Sequence, residues 1–191
     1  DTGFSNPNNV KRTVHGYALA GFAWVMIEDQ VSPRRCGHTL GKRVVAFAEE
    51  QQHLQAAVDA RQEVRDKGGD ILIMARTDAN ATDGLDEALR RCEMFRKVGV
   101  DITFLDEPKD EDEMRRYGAK IDGPKMANMV EQGATPYLSP KDLEEIGYKI
   151  ANYPAALLMT AIKGLQETLQ MMKSDDQDLS NRITLQEWQA I

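Results

Sequence analysis

The segment Ser32-Pro33-Arg34-Arg35-Cys36-Gly37-His38-Thr39-Leu40-Gly41-Lys42 sets one cysteine among arginines, a histidine and a lysine. Positive neighbours stabilise a thiolate and lower the thiol pKa, so Cys36 has the surroundings of a reactive cysteine. Gly37 and Gly41 would let such a loop move over a site. The other reading is a solvated basic loop with an incidental cysteine, and composition alone leaves both open. Zinc is disfavoured, because Cys36 and His38 have no second Cys/His pair nearby. Cys92, mid-helix between Leu89 and Phe95, reads as a core residue.

Carboxylates form the second constellation. Asp1, Glu28, Asp29, Asp78, Asp106 and Glu107 all fall at the ends of predicted strands. Hard oxygen ligands suit Mg²⁺, which keeps waters and takes one or two direct carboxylates. Each of these acids has an equally good structural reading, as a helix cap or an arginine partner. Arg76 ends a very apolar run and needs an anion, either a substrate carboxylate or phosphate held by its fork, or Asp106 or Glu107. His15, His53 and the charged stretch 109–116 read as surface or packing residues.

The elements that must hold these groups follow from apolar spacing. Helices are predicted over 9–21, 47–67 (with Leu54, Ala57, Val58, Arg61 and Val64 on one face), 84–99, 110–118, 139–147 and 155–172. Val10, Val14, Tyr17 and Ala18 mark the buried face of the first. Strands are predicted over 22–30, 70–79, 101–108, 125–130 and 148–154. Strands alternating with helices mean parallel βα units, and both a doubly wound sheet and a (β/α)8 barrel fit. Polar residues at the end of every strand favour the barrel, whose active-site face is built from successive strand ends. No glycine-rich phosphate cradle is present. A barrel needs eight strands and about 250 residues, so five strands in 191 residues read as a fragment carrying strands 4–8. Residues 1–174 form the partial barrel and 175–191 a polar tail.

Composition excludes several classes. The formal charge of −7 argues against a nucleic-acid binder, and no apolar run is long enough for a membrane span. Hydrophobic residues at 41% suffice for a packed core. Two cysteines suggest a reducing compartment, taken as the cytoplasm, with an upstream organellar targeting segment beyond the reach of the sequence.

Five short motifs occur in order: Asp1-Thr2-Gly3-Phe4, Ile27-Glu28-Asp29-Gln30, Arg35-Cys36-Gly37-His38, Ala75-Arg76-Thr77-Asp78-Ala79 and Ala127-Asn128-Met129-Val130-Glu131. Together they resemble the isocitrate lyase/phosphoenolpyruvate mutase superfamily over residues 1 to about 172, and within it the short lyase branch that includes methylisocitrate and dimethylmalate lyases. The resemblance implies a (β/α)8 barrel, Mg²⁺ with Mn²⁺ as the alternative, and a small carboxylate substrate. Asp1 and Glu28 match metal-holding positions. Arg76 matches the arginine that grips a substrate carboxylate, and Asn128 and Thr135 match positions that hold another. Asp106, by register from Pro108, takes the family's glutamate position, and Gly37 lies against the substrate. Cys36 matches the loop cysteine that acts as the acid, with His38 and Arg34 beside it. Arg34 stands where the lyases usually carry lysine, and Ser5 and Gln132 replace common glycines.

The implied activity is a Mg²⁺-dependent retro-aldol cleavage of a 2-hydroxy di- or tricarboxylate with Cys36 as general acid. The alternatives are an oxaloacetate hydrolase, P–C chemistry of the same superfamily, or a non-catalytic subunit that keeps the fold. The apolar stripe over 155–172 suits a final helix exchanged between subunits of a homotetramer.

Overall fold

A computed structural model describes residues 1–35, 41–174 and 183–190. They divide into two units, Asp1–Tyr153 and Pro154–Ile191. The first unit holds, in order, α1 (Pro7–Leu19), β1 (Trp24–Glu28), α2 (Phe47–Arg65), β2 (Leu72–Thr77), α3 (Ala79–Thr82), α4 (Leu85–Val98), β3 (Ile102–Leu105), α5 (Glu111–Lys120), β4 (Met126–Asn128), α6 (Pro140–Ile146) and β5 (Ile150–Asn152). Local chemistry sets the helix ends. Asn6 and Ser139 cap α1 and α6 through their side chains, each followed by a proline in the first turn. Gly99 and Gly147 end α4 and α6 at φ of 98° and 105°, a conformation that glycine adopts without a Cβ penalty.

β1 pairs with β2, β2 with β3 and β4 with β5, all parallel. A parallel bridge between Thr103 and Lys125 joins β3 to the approach to β4. Spatial order therefore follows chain order. A doubly wound sheet reverses at a switch point. An unreversed series of right-handed βα units keeps its helices on one side, as in a barrel wall. The chain forms the expected α/β architecture, and its strand order over these five strands is that of a (β/α)8 barrel.

Register decides which side chains meet. Glu28 lies opposite Arg76, Arg76 opposite Phe104, and Asn128 opposite Asn152. Side chains alternate along a strand. Met74, Ile102, Phe104 and Met126 pack together on one face with Met26, Leu72 and Ile150. In β1, β2 and β4, the strand-final member of this series is polar: Glu28, Arg76 and Asn128. The other face, with Val25, Ile27, Ile73 and Ala75, packs against the helices through Val10, Val14, Leu54, Ala57, Leu89, Cys92 and Phe95. Cys92 is thus core, as its spacing predicts. Tyr17 departs from the prediction: it is exposed and lies against Phe22, with ring centroids 5.0 Å apart.

The second unit contains α7 (Ala156–Lys173) and α8 (Leu185–Gln189). The unit boundary precedes α7. A reciprocal capping box between Thr184 and Glu187 starts α8. No residue of α7 is buried, although Leu157, Leu158, Ile162, Leu165, Leu169 and Met172 lie along it. Among the described residues no helix is long and apolar enough to cross a membrane.

Candidate active site

Arg76 ends β2 on the same face as Met74, so its guanidinium rises from an apolar layer at the carboxyl edge of the strands. Its centre lies 5.1 Å from the Phe104 ring centroid. Nε and Nη2 donate to the two carboxylate oxygens of Asp78, each at 2.9 Å, and Nη2 also donates to Asp106 Oδ2 at 2.5 Å. Burial disfavours the cation, but Asp78, Asp106 and Glu28 outweigh it and hold the Arg76 pKa above its ordinary value. The sequence offered Asp106 or Glu107 as its structural partners. The structure supplies Asp106 and adds Asp78.

Glu28 is fully enclosed, yet neither of its carboxylate oxygens receives a hydrogen bond. Arg34 Nε stands 3.4 Å from one oxygen and Arg76 Nε 3.7 Å from the other. Burial pushes the Glu28 pKa up, against the pull of both arginines. The Glu28 N–H donates to the Asp1 carbonyl at 3.1 Å, which places the exposed Asp1 beside the end of β1. Among the described residues no group of three or more His, Cys, Asp or Glu side chains is arranged to hold a metal. The pair Asp1 and Glu28 nevertheless suits a hard divalent cation: Mg²⁺ keeps most of its waters, and Glu28 presents two buried oxygens without donors.

Lys42 enters the same cluster. Its Nζ lies 2.8 Å from Glu107 Oε2, 3.1 Å from Asp78 Oδ1 and 3.8 Å from Asp106 Oδ2. The Asp78 pKa is raised by burial but lowered more by Arg76 and Lys42, and falls to about 2. Asp106 moves the other way, to about 7, because burial and the neighbouring Asp78 and Glu107 outweigh Arg76 and Lys42. Glu107, next to it, sits at φ 52°, and Asn80 Nδ2 donates to its carbonyl at 2.8 Å. Left-handed backbone at a non-glycine residue is costly and clusters at functional sites. Ser5 and Gln132 take φ of 85° and 61°, which explains why glycine suits both positions.

The alternation of side chains separates Asp29 from its neighbour Glu28. Asp29 accepts hydrogen bonds from Thr77 Oγ1 at 2.6 Å, the Asp78 N–H at 2.9 Å and Arg91 Nη1 at 2.9 Å. It is a support on the helix side, outside the Arg76 cluster. Deeper still, Glu50 is buried with His53 Nδ1 3.3 Å from its Oε2.

Of the residues singled out in the sequence, Arg34, Glu28, Arg76, Asp78, Asp106 and Glu107 share this cluster, with Asp1 alongside. Asn128 ends β4 and accepts a hydrogen bond from Asn152 Nδ2 at 3.0 Å. Thr135 is half-buried in the loop that follows β4. Cys36, Gly37 and His38 lie outside the described residues. Sequence reasoning missed Lys42 as a site residue, along with the Asp29–Arg91 and Glu50–His53 pairs; a lysine directly after Gly41 at a loop return was the only local signal for the first. Arg34, Lys42 and Arg76 are outnumbered by Asp1, Glu28, Asp78, Asp106 and Glu107. Such a cluster takes an anionic ligand only with help from an added cation or proton.

The phosphoenolpyruvate phosphomutase family model matches residues 1–173. A 2,3-dimethylmalate lyase from Eubacterium barkeri is 44% identical over 176 residues, covering 92% of this chain and 59% of the relative. A crystal structure of 2,3-dimethylmalate lyase superposes with a TM-score of 0.86 at 36% identity, over 97% of this chain and 62% of that one. Oxaloacetate acetylhydrolase bound to 3,3-difluorooxalacetate gives a TM-score of 0.85 at 31% identity, over 91% of this chain and 58% of that one. The chain therefore spans somewhat less than two thirds of the length of these proteins.

Proposed function

The chain belongs to the phosphoenolpyruvate mutase/isocitrate lyase superfamily, and we propose that it serves a Mg²⁺-dependent lyase that cleaves a carbon–carbon bond of a small 2-hydroxy di- or tricarboxylate of the dimethylmalate or methylisocitrate type. The observation that carries this reading is the buried Arg76 fork beside Glu28, whose two carboxylate oxygens lack donors. A guanidinium held charged at a strand edge is suited to a substrate carboxylate, and Asn128 and Thr135 would take a second one. Gly37 would let the Cys36 segment approach the substrate backbone-first.

Asp1 and Glu28 would hold a Mg²⁺ or Mn²⁺ ion, which would supply a Lewis acid for charge developing on the substrate. A base takes the substrate hydroxyl proton, with Asp106, bonded to Arg76, against the substrate. As the C–O bond becomes a carbonyl, the neighbouring C–C bond breaks and its electron pair passes to the carboxylate-bearing carbon. Arg76 stabilises that charge, and Cys36 donates a proton to the carbon. The positive residues beside Cys36 in the sequence would favour the thiolate left behind. The two-cysteine composition is the basis for placing the protein in the cytoplasm.

Likeness to the acetylhydrolase favours one second reading, hydrolysis of oxaloacetate. The test is NMR product analysis of the full-length protein with isocitrate, methylisocitrate, dimethylmalate and oxaloacetate, with Mg²⁺ and after EDTA treatment. Metal-dependent cleavage of a 2-hydroxy acid supports the lyase. Oxalate plus acetate from oxaloacetate alone assigns the hydrolase, and no turnover by a folded, Mg²⁺-binding protein favours a subunit without chemistry. We further propose that the apolar stripe of α7 is covered by another copy, in a tetramer that exchanges this helix.

A further inference from the structure

Both ends of the segment that carries Cys36 are fastened. Residues 29–31 and 43–45 run antiparallel: the Val31 N–H donates to the Arg43 carbonyl at 2.9 Å and the Val45 N–H to the Asp29 carbonyl at 2.8 Å. Gln30 forms an antiparallel bridge with Val44 between them. On the outgoing side, the Gln30 amide accepts from the Arg35 N–H at 3.0 Å and donates to the Arg35 carbonyl at 3.1 Å. The Arg35 guanidinium lies against Gly41, where an added Cβ would stand 2.9 Å from Nη1. On the returning side, the Lys42 side chain is only 5% exposed and ties Asp78, beyond β2, to Glu107, beyond β3.

Immobilising a lysine stem and desolvating its ammonium both cost free energy that a solvated loop residue would avoid. The arrangement therefore does something that a surface return does not require. We infer that Lys42 is a positioning residue: it pins the returning residues 41–45 to the ends of β2 and β3, and so holds Asp78 and Glu107 in place beside Arg76. The inference rests on the lyase reading for the role of Arg76, but the pinning itself is a statement about Lys42, Asp78 and Glu107. It also accounts for how the acids are shared. Asp78 and Asp106 face two cations, so neither is left to Arg76 alone.

The experiment compares the full-length protein with Lys42→Met and Lys42→Arg by hydrogen exchange of peptides spanning 29–31 and 41–46, together with kcat and KM on whichever acid the wild type cleaves. Lys42→Met is expected to raise exchange several-fold in those peptides and to lower kcat on the order of 10²-fold with a smaller change in KM. Lys42→Arg, which keeps the charge, recovers part of both. If Lys42→Met does not fold, Lys42→Gln takes its place in the same measurements. Unchanged exchange overturns the inference whether or not the protein is active. Faster exchange with unaltered kcat also overturns it, since Lys42 would then be structural only. Separately, full cleavage by Cys36→Ala would defeat the acid role of Cys36 while leaving the pinning to be judged by exchange.

Discussion

The carboxyl edge of the strands and helix α7 depart from the usual partition of side chains in opposite senses. At the edge, Glu28, Arg76, Asp78 and Asp106 are buried; along α7, Leu157 is 86% exposed and Leu165 64%. The edge largely answers its own charges. Arg76 and Lys42 divide Asp78, Asp106 and Glu107 between them, and only Glu28 is left without a hydrogen bond. Along α7, by contrast, no residue is buried. Buried ion pairs roughly break even against apolar replacements, so stability is a weak reason to keep such an edge. Burying a leucine-sized side chain contributes about 1.5–3 kcal/mol, so a row of them is a strong reason for a covering surface. The proposed ligand site and the proposed subunit contact thus fall on regions of opposite character.

The largest effect expected is at the edge. Arg76→Met leaves Asp78 and Asp106 to Lys42 and Glu28 to Arg34, and chemical denaturation should show a loss of about 3–5 kcal/mol. Arg76→Lys restores the charge but not the fork, so ligand binding stays impaired even if stability partly returns. A pH effect comes next, from the pair behind the edge. Burial raises the Glu50 pKa from 4.5 to about 7, against the hydrogen bond from His53 and with Asp29 and Arg91 nearby. A carboxyl whose folded pKa is raised holds its proton more tightly in the native state, so stability falls as pH rises from about 4.5 to 7. His53, raised chiefly by Glu50, acts in the same direction as pH rises through its folded pKa. Glu50→Gln should remove a slope of about 3 kcal/mol across that window, and a pH series of denaturation curves with the wild-type slope intact would contradict this. A smaller gain is expected from Gln132→Gly, which relieves left-handed backbone and should stabilise by up to about 1 kcal/mol. Smallest in stability is Leu165→Glu on α7, within about 0.5 kcal/mol for the folded unit, yet light scattering should show the full-length assembly falling to smaller particles. An unchanged mass would remove α7 from the interface and blur the contrast drawn above.

Much of this organisation was legible in the residues. The near-continuous apolar run before Arg76 predicted a strand buried on both faces, and β2 is one, trimmed to Leu72–Thr77 where pairing ends. The placement of Cys92 followed from helical spacing. Period-two alternation also distinguishes Glu28 from Asp29, although a list of acids at strand ends merges them. Other features had no local signature. Lys42 reads as one more charge in a basic loop until the chain returns beside β1 and carries it between β2 and β3. His53 reads as a surface or packing residue and Glu50 gives no signal, because only tertiary packing shows which side of a weakly amphipathic helix is covered. α3 and α8, at 4 and 5 residues, are too short to show a helical period.

The most direct test of the lyase account is cleavage of the 2-hydroxy acid panel by the full-length protein in D₂O with Mg²⁺, followed by NMR, with Cys36→Ala in parallel. The account predicts that one acid is split into two products, one of which carries a single deuterium at the carbon that had been bonded to its partner, and that this turnover is lost in Cys36→Ala. Cleavage that proceeds equally in Cys36→Ala, or a folded, Mg²⁺-binding protein that splits none of these acids, would contradict it.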